Sequence, residues 1–254
     1  MSTVLPAPFT PATPVGRIIN VVRLHLANPW TTIFMPWIVL FAVFLANLAI
    51  WWIIYTAAGG ATDPEVTEGL QYSGATSWIF VYMIVVAAQA MSVTFPFALG
   101  FGVTRRDFYL GSAVTFVLLS AMYSIGMTVL SVVEDATNGW GIGGRMFSAV
   151  YFGDSWPQRL FIYFAIFLFF FFVGAAIASI WVRWRATGLT VFFIALGALA
   201  VAGVALVTFT ANWASVGGFF LRAGFIGSFA WSLVLTALAA VTGFVLLRRA
   251  TPRN

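Results

Sequence analysis

The chain predicts an all-α polytopic membrane protein: six transmembrane helices, both termini cytoplasmic, and an amphipathic interfacial helix at the N-terminal end. Three observations carry that expectation. The residues are 62% hydrophobic and 7% charged, against roughly 25% charged in a soluble domain. Six apolar stretches each exceed the roughly 20 residues an α-helix needs to cross about 30 Å of hydrocarbon. All 12 basic residues are arginines, and Arg17, Arg23, Arg105, Arg106, Arg183, Arg185, Arg248, Arg249 and Arg253 fall on one side of the resulting pattern. Basic residues in short loops stay cytoplasmic during insertion, which places that side inside.

Residues 1–13 read as a flexible cytoplasmic tail, proline-rich and without the basic start and apolar core of a signal peptide. Residues 14–28 read as the interfacial helix. Thr13 caps it, and Pro14 suits the first helical position. Val15, Ile18, Ile19, Val22 and Leu26 form an apolar stripe for lipid, with Arg17 and Arg23 turned towards phosphates. Asn28-Pro29 ends it.

Residues 29–254 form the transmembrane domain, with spans expected at 33–55, 78–101, 108–133, 160–182, 189–210 and 225–247. Tryptophans and tyrosines such as Trp37, Trp51, Trp78, Trp181 and Trp213 gather at their ends as an interfacial belt. The second external loop, 134–159, is expected to turn at its glycines, with a short interfacial helix over 145–152. The third, 211–224, is apolar and expected to dip back into the outer leaflet. Gly174, Ala178 and Ser179, and likewise Gly197, Ala198, Ala202 and Gly203, are spaced for close helix packing within the subunit.

Charge and composition also exclude. The net charge of +5 follows from topology and does not indicate a nucleic-acid partner. Without cysteine there is no thiolate chemistry. Without lysine there is no phosphate-cradling Walker loop, so ATP would have to be bound by another subunit. The spans offer no base and no ligand set for an intramembrane hydrolase, so no catalytic or metal residue is expected. His25, the single histidine, has neither a second histidine nor an acid nearby in sequence.

The most informative local sequence is Gly100-Phe101-Gly102-Val103-Thr104-Arg105-Arg106-Asp107-Phe108-Tyr109-Leu110-Gly111. Thr104 with Asp107 three residues on is a capping pattern, and the acid suits the helix dipole. On the residues alone this is a capped helix flanked by positive-inside arginines. Together with the Arg-Leu-His-Leu-Ala-Asn-Pro-Trp entry at 23–30 and the six-span order, it resembles the type-2 ABC transporter permeases of bacteria.

That resemblance implies one half of an exporter in the bacterial inner membrane, paired with a second copy or a related permease. A separate cytoplasmic ATPase, which holds ATP and magnesium, would engage the link between the second and third spans. Gly102, Thr104, Arg105, Arg106, Asp107 and Phe108 would be the coupling segment. The permease itself would carry no cofactor and would not be an enzyme. Its interfacial helix would match 15–27, and the loop 211–224 would match the family's short re-entrant helices.

Polar residues within the spans are few. Asn47, Gln89, Ser92 and Thr94 are candidates for a translocation path, with interhelical hydrogen bonding as their ordinary role. Pro96 frees a carbonyl one turn earlier, at Ser92. The uncharged interior suits an amphipathic or lipophilic cargo. The alternative is an ion-coupled secondary transporter or channel subunit. The lack of an ionisable residue at mid-span weighs against it.

Overall fold

The computed structural model describes residues 13–60 and 68–249. Residues 1–12 of the expected tail, 61–67 of the first external loop and Arg253 lie outside them. The described chain is a helical bundle with five helices long and apolar enough to cross a membrane, the architecture of a multi-pass helical membrane protein.

Helix α1 (Pro14–His25) starts where Thr13 Oγ1 accepts from the Gly16 amide. Asn28 makes the corner that follows. Its side chain accepts from the Trp30 amide, and its carbonyl accepts from the Thr31 and Thr32 hydroxyls. A π-helical turn, Trp30–Phe34, leads into α2 (Met35–Ala57).

Helices α3 (Ser77–Ser92) and α4 (Thr94–Gly100) are one apolar stretch interrupted at Val93. Pro96 has no amide to offer the Ser92 carbonyl, and the break falls beside that missing bond. Helix α5 (Arg105–Ala136) opens at Thr104, whose hydroxyl accepts from the Asp107 amide at 3.1 Å.

Helix α6 (Trp156–Phe209) would run about 80 Å if straight. It is bent at Arg185 (φ 54°, ψ −147°). A Cβ on Gly188 would lie 3.2 Å from Ile180 Cγ2, a residue that a straight helix would hold about 12 Å back. The chain therefore reverses at Arg185 without a loop. Helix α7 (Trp213–Arg248) is bent at Gly224 (φ 62°), so the expected apolar loop is a helical limb, 213–223, leading into the final helix.

The core lies between α3, α5 and the first limb of α6. Phe116 stacks on Phe171, and Tyr123 and Phe80 pack on Phe167. Gly174 lets α6 meet the backbone of α3, where a Cβ would sit 2.8 Å from the Ile84 carbonyl oxygen. Gly197 and Gly203, read from sequence as the same device, have nothing within 4 Å of a built Cβ. Ala198 and Ala202 are exposed as well.

Candidate functional site

Three helices meet around the turn 102–112. Gly102 takes φ 78°, a left-handed conformation suited to glycine, and carries the chain from α4 into α5. Helix α1 crosses α5 at Gly111, where a Cβ would stand 2.5 Å from Val21 Cβ. On one side of that crossing Arg17 Nε lies 2.8 Å from Asp107 Oδ2. The contact is ionic, without the alignment of a directed hydrogen bond. On the other side His25 Nε2 meets Ser112 Oγ at 2.7 Å, and the His25 ring packs edge-on against Phe108 at 5.5 Å. Burial pushes the His25 imidazole down to about 4, so it is neutral near pH 7.

The end of α7 is tied to the same turn. Arg105 Nη1 donates to the Arg248 carbonyl at 3.1 Å, and Tyr109 donates to the Ala240 carbonyl at 2.6 Å. A guanidinium at a helix C-terminus also complements the helix dipole.

The expected coupling segment therefore divides. Phe108 and Asp107 are buried, Arg105 is partly covered, and Gly102, Thr104 and Arg106 face outward. Both arginines expected to face phosphates are exposed, and Arg17 is also paired with Asp107. Val21 and His25, outside the apolar stripe read from sequence, are the residues of α1 that enter the core.

Above this junction is a cavity of about 550 Å³ between α1, α3 and α5. Gln89 and Thr94 line it from the broken α3–α4 stretch, Thr115 and Phe116 from α5, and His25 and Asn28 from α1 and its corner. Of the four span residues picked from sequence, only Gln89 and Thr94 face this space. The Ser92 hydroxyl donates to Ala88 one turn back. Asn47 lies on α2, its Nδ2 buried without a hydrogen-bond partner among the described residues.

The opposite end is closed by a cap. Glu134 is 0% exposed. Its carboxylate accepts from the amides of Met146, Phe147 and Ser148, the Ser148 hydroxyl and the Trp140 indole, at 2.7–3.0 Å for the shortest contact of each. Those amides point at the carboxylate and not along a helix. The short helix expected over 145–152 is accordingly reduced to a single 3₁₀ turn, Val150–Phe152. Tyr163 donates to the Phe147 carbonyl, Thr76 to that of Met146, and Arg159 pairs with Asp135. Burial, with the Glu134 charge beside it, pushes the Tyr151 hydroxyl up.

Glu134 carries no signal in the sequence, and His25 shows there only as a lone histidine without a metal partner. Their partners lie 6–14 and 87 residues away, and no local spacing announces them. Among the described residues no cluster of three or more histidines or acids is placed to hold a metal. Nothing matches the chain among protein-family models, curated proteins or solved structures.

Proposed function

We propose that this chain is the six-span membrane subunit of an ATP-driven exporter of the type-2 ABC kind, in a bacterial inner membrane with both termini cytoplasmic. Counting the two limbs of α6 separately supports six crossings, since each exceeds the roughly 20 residues required. The observation that carries the reading is the turn 102–112. It presents Arg106 outward while Arg105, Asp107 and Tyr109 fasten the same turn to α7 and α1. A push on this turn reaches three helices at once, which is what an ATPase docked there requires. ATP and magnesium would belong to that partner. The permease would pair with a second copy or a related chain and move an amphipathic or lipophilic cargo.

A second reading, an ion-coupled transporter or channel, is favoured by one feature: the helix break at Val93 beside a cavity that Gln89 and Thr94 line. Co-purification with a co-expressed cytoplasmic ATPase separates the two. Arg106→Glu should abolish that complex while leaving the unfolding temperature unchanged, because reversed charge opposes a matched surface. Transport that persists without any ATPase, driven by a proton or sodium gradient, would establish the second reading.

A further inference from the structure

Gln89 stands near the middle of the apolar stretch Ser77–Gly100. A primary amide facing lipid at that depth would lose its donors and acceptor to nothing. Gln89 borders the open side of the cavity and is itself exposed, and neither its amide nor the Thr94 hydroxyl has a protein partner among the described residues. The lining also holds an apolar part, Ala90, Phe116 and Leu119, beside further polar groups at Asn28, Thr31, Thr32 and Thr115. Among the described residues no aspartate, glutamate or arginine lines the space, so a carboxylate or ammonium placed there would find no countercharge. The volume is that of a site for a drug-sized ligand.

We propose that this cavity binds an uncharged amphiphile, its hydroxyl- or amide-bearing head hydrogen-bonded to Gln89 and Thr94 and its apolar part laid on Ala90, Phe116 and Leu119. Helix α1 closes one side through Leu24 and His25 and holds Asp107 at its other end through Arg17. Occupancy is thus linked to the turn 102–112. That the bound molecule is cargo rests on the exporter reading. The binding itself does not.

The test uses the full chain in lipid nanodiscs without any ATPase, with a monoacylglycerol carrying a photoreactive diazirine in its acyl chain. Labelling should be saturable, map to 86–94 and 115–119, and be displaced by unlabelled monoolein but not by oleate of the same chain length. Gln89→Leu should weaken binding about five- to tenfold, as expected for one lost hydrogen bond. Ala90→Phe, which fills the space, should abolish labelling. Thr94→Val, close in shape to the native residue, should weaken binding by a similar factor and serves if either larger change unfolds the protein. Labelling spread evenly over the lipid-facing helices, equal displacement by oleate, or unchanged affinity in correctly folded variants would overturn the proposal. Those outcomes leave the exporter reading standing, whereas failure to recruit an ATPase removes that reading and leaves the binding result intact.

Discussion

The bundle from α1 to the first limb of α6 and the hairpin made by the second limb of α6 with α7 are comparably apolar, yet they are held differently. In the bundle, polar side chains bridge elements: Tyr123 donates to Thr32, Tyr82 to Thr31, Tyr163 to Phe147, His25 meets Ser112, and Glu134 gathers a whole loop. In the hairpin most turn back on their own helix, Thr208 to Val204, Thr210 to Leu206, Ser228 to Gly224 and Thr236 to Ser232, and the Trp213 indole donates to Thr208 across its tip. Tyr109 and Arg105 supply the bonds that tie it to α5. Phe209 and Leu221, at its far end, are 89% and 85% exposed.

The lesson concerns solvent. Lipid tails are as apolar as leucine, so apolar sequence does not by itself drive helices together in a bilayer. Close backbone approach and interhelical hydrogen bonds do. The bundle has both and forms a fixed frame. The hairpin is anchored at one end and leaves a broad face for lipid or a partner subunit.

The largest break in this comparison should come from Glu134→Ala. It strands three amides and an indole N–H in a buried site, and should cost about 3–5 kcal/mol. A lowered unfolding temperature in detergent, with new protease cleavage within 139–153, is the expected result. An unchanged temperature would mean that the cap does not hold the frame.

A pH scan comes next. The folded pKa of His25, about 4, lies below its ordinary 6.5. Between those values the unfolded chain binds the extra proton. Stability is therefore full above pH 6.5 and falls as pH drops towards 4, by about 3 kcal/mol at most. His25→Gln should remove that slope, measured as unfolding temperature against pH.

Paired glycine changes then sharpen the contrast. Gly174→Val should destabilise by about 1–3 kcal/mol through overlap with the α3 backbone. Gly197→Val and Gly203→Val should stay within about 0.5 kcal/mol. Equal losses at all three positions would show that the hairpin packs as tightly as the bundle.

The smallest expected effect is that of Tyr109→Phe, about 1 kcal/mol for one hydrogen bond. It should appear as faster amide exchange confined to 236–248, with the bundle unaffected. Exchange rising equally in α3 would join the two regions into one unit.

Several features were legible because they depend on local chemistry. The cap at Thr104, the start of α1 at Thr13-Pro14, the corner at Asn28 and the weak point ahead of Pro96 each follow from a side chain acting within a turn of its own backbone. Gly174 and Gly197 mark the boundary of that legibility. Both sit among small residues at helical spacing, and only the partner across the contact distinguishes a crossing from an open face. The candidate cavity divides the same way. Gln89 and Thr94 were visible as polar residues in an apolar span, whereas Asn47 and Ser92 have the same chemistry and face elsewhere.

The sequence by itself determined that this is a multi-pass helical membrane chain, where α1 and α5 begin, and which turn carries paired arginines. Composition and short-range hydrogen bonding are properties of neighbours along the chain. Tertiary structure decided that Arg17 belongs to Asp107, that the lone histidine enters the core, that an acid at a span end organises a loop, and that α6 reverses at a single residue. Each of those depends on contacts made between segments that only folding brings side by side, and in a bilayer such contacts, more than apolar content, separate a bundle bridged by side chains from a hairpin exposed at its far end.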